Sequence, residues 1–447
     1  MYQRDSLVNI YLWLNEKRIS LNWLDFILNK LEIIFHTPGV RKFARNIGTI
    51  FFYNRAASFF ITILGIITAR VLGPADYGNI ALIGNASNFL IIPMIMGINS
   101  SMFKLLPGSL PKRTRELIGT AFFSNLVTTI FFGWLFLNGY EWIGKPLKFT
   151  HSIWDFCIVT TILINFFSLN ESFLRGREEY SFIGKGRLVS SIVFFISVLF
   201  FYRIGLLNLS TYYIGFFLSQ ALFCVISIWK NRKWLISFSW PTAKEIYRYG
   251  GIIMLHMFFN AIVFSSDIFI VNYFNPGRDV GIYSVYQGAV KNLFVMMFYE
   301  VFSVVFLPTI AQMDRFDIYR KINKMTLQII VFVTFSTFGL TILTVCLFGR
   351  EYPLNFGYAL LVALSISFYL LFQLYNSIIS MEGNREALLC LIPFLIVLPF
   401  ALFLQVGLTK TNGLTGAMMA VLLTNISLFI TSKFLIEIYL KKQVKCD

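Results

Sequence analysis

The chain is poor in charged residues and in the side chains that most enzymes use. Charged residues make up 13% of its 447 positions, and it has five cysteines and three histidines. The histidines lie in separate segments without metal-ligand spacing, and no phosphate-loop glycine pattern accompanies a Lys-Ser or Lys-Thr pair. Most of the cysteines fall in apolar runs, which argues against a disulfide framework. We therefore expect no cofactor, no metal site and no enzyme activity.

Long apolar runs are what the sequence has in excess. Hydrophobic residues make up 57% of the chain and aromatic residues 18%, and the mean hydropathy is +0.70. A helix of roughly 18 or more apolar residues can cross about 30 Å of hydrocarbon. Runs of this length start near Ile47, Ile80, Leu117, Ile153, Ile183, Ser210, Tyr249, Ile282, Met325, Leu354, Ala387 and Leu414. The pattern predicts an all-α integral membrane protein with about twelve transmembrane helices.

Two short elements of the sequence look like copies of each other. Residues 72–78 (Leu-Gly-Pro-Ala-Asp-Tyr-Gly) close the first run, and residues 275–283 (Asn-Pro-Gly-Arg-Asp-Val-Gly-Ile-Tyr) close the seventh. Aligning Gly78 with Gly281 gives an offset of 203 residues. A similar offset relates residues 175–179 (Arg-Gly-Arg-Glu-Glu) to residues 382–386 (Glu-Gly-Asn-Arg-Glu). The repeats indicate a duplicated half of six helices, an arrangement in which transporters place a substrate site between the repeats.

Basic residues alternate between the two sides of the predicted membrane. Of the 38 lysines and arginines, 29 fall in the N-terminal segment, the alternate loops and the tail, all on one side. The opposite side has seven: Arg70, Lys145, Lys148, Arg203, Arg278, Arg350 and Lys410. Only Arg55 and Lys291 remain inside spans. The positive-inside rule therefore predicts that both termini are cytoplasmic.

The runs divide the chain into five segments. Residues 1–46 are an N-terminal extension in which apolar residues recur at helical spacing from Leu24 to Phe35. It is predicted to be an amphipathic helix that lies on the cytoplasmic leaflet or docks on a partner protein. Residues 47–232 form the first six-helix lobe, 233–246 a cytoplasmic linker, 247–440 the second lobe and 441–447 a cytoplasmic tail. No loop is long enough to form a catalytic domain.

The first and seventh spans carry residues of a known family pattern. The first ends in Ala-Arg-x-Leu-Gly-Pro-x-x-Tyr-Gly, and the seventh holds Asp267 and is followed by Val-Gly-Ile-Tyr-Ser at 280–284. In these features the chain resembles the oligosaccharide-lipid flippases of polysaccharide biosynthesis, which belong to the multidrug/oligosaccharidyl-lipid/polysaccharide exporter superfamily. The resemblance covers about residues 41 to 440.

The resemblance implies two six-helix lobes around a central cavity. It also implies the movement of undecaprenyl-pyrophosphate-linked oligosaccharides across the cytoplasmic (inner) membrane, for O-antigen, capsule or exopolysaccharide synthesis. The implied partners are the lipid-linked oligosaccharide, membrane lipids, and a polysaccharide polymerase with its chain-length regulator. The net charge of +16 is then explained by the basic residues on the cytoplasmic side of the membrane, and it does not indicate nucleic-acid binding. This chain departs from the expected cationic cavity in having few intramembrane cations.

Charged residues inside spans are the first candidates for a site. Each costs roughly 2.5 to 3.5 kcal/mol at a helix centre, so it should face a wet cavity or another charge. Arg55 and Lys291 are candidates to bind the substrate's phosphates. Asp267 is estimated to lie at a depth similar to that of Lys291, which predicts a charge pair that is either a structural bridge or part of a substrate or ion site. Asp267 and Glu300 are the candidate ion-coupling carboxylates.

Polar residues near or within the spans form a second group of candidates. Arg70, at the outer end of the first span, either contacts substrate or snorkels to the interface. The amides of Asn54, Asn88 and Gln287, together with those of Asn85, Asn260 and Asn292, suit sugar hydroxyls and also suit helix packing. His256 is interpreted as a neutral core histidine.

Three other functions remain open on the sequence alone. One is an ion-coupled multidrug exporter of the same superfamily, and another is a non-transporting membrane scaffold of a polysaccharide assembly complex. The third is a membrane polymerase or glycosyltransferase, which would need a sizeable outer loop or a solvent-facing carboxylate cluster. The Leu-Gly-Pro-x-x-Tyr-Gly element favours the flippase.

Overall fold

A computed structural model describes residues 38–294, 315–380 and 389–443 of the chain. All regular elements in these ranges are helical, and nine helical segments are long and apolar enough to cross a membrane. The two longest segments, Pro38–Ile95 and Ile392–Gln443, each contain a glycine with non-helical torsions that divides them into two helices. With these divisions, the described ranges contain eleven membrane-length helices, six in the first half and five in the second. The helical run 278–294 stands at the place of the remaining predicted span.

The helices are numbered here in chain order. In the first half, α1 and α2 are the two parts of Pro38–Ile95 (38–72 and 74–95), and α3 is Ile98–Leu105, α4 Pro111–Asn138, α5 His151–Gly176, α6 Tyr180–Arg203 and α7 Leu209–Asn231. In the second half, α8 is Trp240–Ser265, α9 Asp267–Phe274, α10 the helical run 278–294, α11 Arg315–Phe348 and α12 Phe356–Ser380. The two parts of Ile392–Gln443 are α13 (392–412) and α14 (414–443). The first helix begins at Pro38, nine residues before the predicted start of its span.

Gly73 reverses the chain between α1 and α2. Its φ of 75° lies in the left-handed region, which glycine adopts without the penalty of a Cβ atom. Asn54 in α1 accepts a hydrogen bond from Arg187 near the start of α6, whereas Asn99 in α3 donates to Ser168 near the end of α5. Because α5 and α6 are joined by a short turn, both contacts lie at the same end of the bundle. The chain therefore leaves that end along α1 and returns to it along α2 and α3.

Gly413 reverses the chain between α13 and α14 in the same way, with a φ of 56°. Phe394 and Leu428, on opposite sides of this turn, pack in one buried cluster with Phe372. A Cβ atom on Gly413 would lie 3.5 Å from Asn275, in the second copy of the repeated element. We call the end of the bundle that holds Gly73, Gly413 and the repeated elements the hairpin end, and the opposite end the terminal end.

The two halves meet at the hairpin end through the two repeated elements themselves. A Cβ atom added to Gly281 would lie 1.8 Å from the carbonyl oxygen of Pro74, and one added to Gly78 would lie 2.8 Å from the backbone nitrogen of Gly281. The glycines that align in the sequence repeat thus contact each other across the interface. The largest buried apolar cluster also joins the halves here, with Ala69 and Tyr352 among its members.

A second close approach joins the halves at the terminal end. A Cβ atom on Gly97, which separates α2 from α3, would lie 2.2 Å from the carbonyl oxygen of Gly250 in α8. The Ser101 hydroxyl donates to the Ile246 carbonyl oxygen over 2.8 Å. Arg113, at the start of α4, pairs with Glu245 at the start of α8. The beginning of the second half is therefore fastened to the first half.

Candidate substrate-binding cavity

A cavity of about 560 Å³ lies between the two halves. Helices α2, α5 and α7 of the first half form one wall, and helices α8, α9, α10, α12, α13 and α14 of the second half form the other. A cavity of this size falls in the range that small-molecule sites occupy in proteins. Its position between repeats is where duplicated membrane transporters bind their substrates.

Several residues predicted from the sequence lie in this cavity. Asn88, Asp267, Gln287 and Lys291 line it, as do Asn85 and Asn292. In the middle of α10 the segment Ser284–Ala289 forms a π-helical turn, a local widening that recurs at functional sites. Gln287 lies in this turn and Lys291 follows it by four residues, so both reach the same wall.

Asp267 lies at a break in the helical path through the second half. Helix α8 ends at Ser265 and α9 begins at Asp267. The Asp267 carboxylate accepts a hydrogen bond from the Tyr283 hydroxyl over 2.6 Å and one from the Ile268 backbone amide over 2.9 Å. A carboxylate at the start of a helix also meets the positive end of the helix dipole. These contacts hold the carboxylate in place.

Lys291 lies between two aromatic rings of the cavity wall. Its Nζ atom is 4.8 Å from the ring centroid of Phe264 and 4.8 Å from that of Tyr369, a geometry in which ring faces attract a cation. Lys291 and Asp267 interact electrostatically, but no salt bridge within 4.0 Å joins them in the described part of the chain. The two charges therefore line one cavity without a direct ion pair, and the role of the predicted charge pair stays a prediction. Similar depth in two helices does not bring their side chains together, and each group has other contacts.

Three buried polar atoms of the lining residues have no hydrogen-bond partner within the described ranges. They are Thr160 Oγ1, Gln287 Nε2 and Asn425 Oδ1. Buried polar atoms are nearly always paired in folded proteins, and an exception calls for a reason. The lining residues thus include amide and hydroxyl side chains, which suit a ligand that carries many hydroxyl groups.

Three predicted binding residues lie away from this cavity. Arg70 donates through Nε to the carbonyl oxygen of Leu347 over 2.8 Å, and so fastens α1 to the end of α11 at the hairpin end. The Arg55 guanidinium lies 4.8 Å from the ring centroid of Phe51 on its own helix. Asn54 accepts from Arg187 over 3.3 Å. None of the three is among the lining residues.

Two predictions fall on parts of the chain that the structure does not describe. Glu300, the second candidate ion-coupling carboxylate, lies outside the described residues, and so does the apolar stripe from Leu24 to Phe35. Both remain predictions.

Sequence reasoning missed a buried carboxylate, Glu171, near the end of α5. Its side chain is 8% exposed and pairs with the Nη2 atom of Arg187 at 2.6 Å and with that of Arg175 at 2.5 Å. The prediction had placed both arginines in a loop, but Arg187 lies inside the membrane-length helix α6. The available signal was an acidic residue in an apolar run with an arginine four residues later.

The profile of the polysaccharide biosynthesis protein family matches residues 67–350, which is more than half of the chain. The chain belongs to this family. The resemblance seen in the sequence is thereby confirmed at the level of the family. No curated protein matches the chain.

Solved structures of transporters from the MOP superfamily have the same fold as this chain. An inward-facing multidrug resistance MATE family transporter superposes with a TM-score of 0.65 at 14% identity, covering 87% of this chain and 96% of the other. An outward-facing MATE transporter gives 0.55 at 13% identity, covering 90% and 96%. A variant of the Vibrio cholerae MATE transporter VcmN gives 0.56 at 11% identity, covering 90% and 97%. The protein is thus a multi-pass membrane protein with the MATE transporter fold.

Proposed function

We propose that this protein is a flippase that moves undecaprenyl-pyrophosphate-linked oligosaccharides across the cytoplasmic membrane. The observation that carries the proposal is the set of amide and hydroxyl side chains that line a cavity between the two halves. Such groups match the many hydroxyls of an oligosaccharide. Membership of the polysaccharide biosynthesis family supports a sugar-bearing substrate, and the transporter fold supports movement rather than chemistry.

Lys291 is the group that we assign to the pyrophosphate. Among the described residues that line the cavity, it is the only cationic one. Aromatic rings flank it, and its three donors have no acidic partner within 4.0 Å in the described ranges. Hydrogen bonds to charged groups contribute more than neutral ones do. Asp267, held by Tyr283 and the Ile268 amide, is the candidate for a coupling ion.

The second candidate function is the export of uncharged or cationic drugs. Its support is the fold that the chain shares with multidrug resistance transporters of the MATE family, together with the aromatic side chains on the cavity wall. Loss of the protein distinguishes the two functions. A flippase leaves lipid-linked oligosaccharide accumulated inside the cell and removes surface polysaccharide, whereas a drug exporter changes only drug sensitivity.

The variant Lys291→Gln tests the assignment of the pyrophosphate. Surface polysaccharide should fall by about tenfold or more, because a charge-assisted hydrogen bond contributes roughly 1.5 to 3 kcal/mol. The matched control is Lys410→Gln, at an exposed position of the hairpin end. Polysaccharide on the cells would be measured at equal protein levels. Normal export by Lys291→Gln would contradict the assignment.

The distribution of basic residues predicts that the terminal end of the bundle faces the cytoplasm. A cysteine introduced at the exposed residue Lys233 should resist an impermeant thiol reagent added to intact cells, and one at the exposed residue Asn412 should react. The native cysteines must first be removed, since Cys346 is exposed. The reverse pattern of labelling would overturn the predicted orientation.

A further inference from the structure

The two walls of the cavity differ in charge. The first-half wall, formed by α2, α5 and α7, contributes no charged residue to the lining, whereas Asp267 and Lys291 both belong to the second-half wall. The first-half wall instead presents the rings of Tyr77, Tyr212 and Phe216. A substrate with a charged part and an uncharged part would therefore meet two chemically distinct surfaces.

One face of α2 combines an aromatic ring, small residues and amides. Tyr77, Ala81, Gly84 and Asn88 follow one another at intervals of three or four residues and so share a face of the helix. The face extends over about 16 Å at 1.5 Å per residue. A Cβ atom on Gly84 would have no atom within 4 Å, so the small residues leave open space between the ring and the amide.

The phenol groups of this wall are available to a ligand. Tyr77 and Tyr212 are half-buried neighbours, and neither hydroxyl has a hydrogen-bond partner in residues 38–294, 315–380 and 389–443. The Tyr212 ring is held edge-on by Phe194, with their centroids 5.2 Å apart. Tyr213 differs, because it is buried, stacks on Phe156 and donates to the Ile80 carbonyl oxygen.

The amides beside these rings also have free hydrogen-bonding capacity. Asn85 donates through Nδ2 to the Ala81 carbonyl oxygen over 2.9 Å, which leaves its side-chain oxygen to accept. Asn88 is exposed and lines the cavity. Ring faces suit the apolar faces of sugar rings, while neutral amides and hydroxyls suit their hydroxyl groups.

We infer that the first-half wall is a subsite for uncharged sugar rings, separate from the pyrophosphate group at Lys291. The inference rests on the proposed function and adds an orientation to it. The sugar rings of the substrate pack on Tyr77, Tyr212 and Phe216 and bond to the amides of α2. The pyrophosphate meets the second-half wall.

The test compares two probes that differ only in the sugar. The purified protein in lipid nanodiscs is titrated with lipid-linked oligosaccharide extracted from cells that make this protein, and with undecaprenyl pyrophosphate without sugar. The unsubstituted protein should bind the glycosylated lipid more tightly. Tyr212→Leu and Asn88→Ala should each reduce this preference by about tenfold, while binding of the sugar-free lipid stays unchanged.

Two matched controls lie far from the cavity. Tyr202→Leu and Asn138→Ala change exposed residues at the hairpin ends of α6 and α4, and both should keep the full preference. Binding of the sugar-free lipid reports whether a variant is folded. Because Asn88 is exposed, Asn88→Ala still tests the subsite if Tyr212→Leu does not fold.

The outcomes separate the inference from the proposed function. If Tyr212→Leu and Asn88→Ala weaken both probes equally, or leave the preference intact, the sugar subsite is overturned while the flippase proposal stands. If the unsubstituted protein binds neither probe, the proposed function itself fails. A selective loss for the glycosylated lipid supports both.

Discussion

Replacing Gly281 with alanine is expected to force the two halves apart at the hairpin end and to remove most of the transport activity. The new Cβ atom would lie 1.8 Å from the Pro74 carbonyl oxygen, far inside an ordinary carbon–oxygen contact of about 3.3 Å. The backbone fixes the position of a Cβ atom, and the Pro74 carbonyl group is itself part of the backbone. No side-chain rotation can therefore relieve the overlap. Overpacking of this kind costs about 1 to 3 kcal/mol, which shifts a two-state equilibrium by roughly 5- to 150-fold.

Spin labels measure this separation directly. Labels at the exposed residues Ala75 and Pro276, one in each half, should report a longer and broader distance in Gly281→Ala. The matched control is Gly339→Ala in α11, where a Cβ atom would have nothing within 4 Å. That variant should keep the parent distance and activity. An unchanged distance together with normal transport in Gly281→Ala would show that the contact does not close the hairpin end.

Glu171→Gln is expected to destabilise the first half more than any single change on its surface. The carboxylate accepts from Arg187 through Nη2 at 2.6 and 2.7 Å and through Nε at 3.2 Å, and it also pairs with Arg175. A neutral amide would remove the counter-charge that both guanidinium groups share. Breaking a buried pair costs about 3 to 5 kcal/mol, and the partial exposure of Arg187 reduces this to roughly 2 to 3 kcal/mol.

Thermal unfolding in detergent would record the loss as a lower midpoint. The matched control is Glu141→Gln, which breaks an ion pair with Lys145 in which both side chains are more than half exposed. That variant should unfold as the parent does, because exposed pairs add little stability. Combining Glu171→Gln with Arg187→Gln should recover part of the loss. Equal midpoints for Glu171→Gln and Glu141→Gln would show that the buried pair contributes nothing.

The sequence predicted the helix count and the duplicated halves because both depend on local patterns. A membrane-length apolar run requires few residue types, and the turn at Gly73 requires a positive φ that glycine adopts freely. The contact of Gly78 with Gly281 could not be predicted. A sequence repeat indicates that two elements have similar structures, but it does not indicate that they are in contact.

The candidate site was predicted only in part, for a geometric reason. Charge within a span identified Lys291 and Asp267 as cavity residues, because a charge in hydrocarbon needs a polar surrounding. Residue number gives depth along a helix but not the direction in which a side chain points, so Arg55 was a candidate beside Lys291, and Arg70 was a further one. Their contacts with Phe51 and with the Leu347 carbonyl oxygen became visible only in the folded chain.

The contact between Glu171 and Arg187 could not be predicted either, because it joins two helices across a turn. The two residues are 16 positions apart and lie on consecutive helices, so their contact depends on how α5 and α6 pack. The count of basic residues treated Arg187 as a loop residue, because it assigns each residue to one side of the membrane and ignores how deep in the membrane the residue lies. A buried carboxylate within its reach explains how the arginine is accommodated inside a helix.

Translocation by the purified protein alone tests the central claim most directly. Proteoliposomes would carry lipid-linked oligosaccharide with a labelled sugar, and a membrane-impermeant enzyme that cleaves the sugar would report how much of it reaches the outer leaflet. The account predicts faster transfer with the parent protein than with protein-free vesicles, and transfer close to the protein-free rate with Lys291→Gln. Transfer at the protein-free rate by the folded parent protein, with drug movement across the same vesicles, would contradict it.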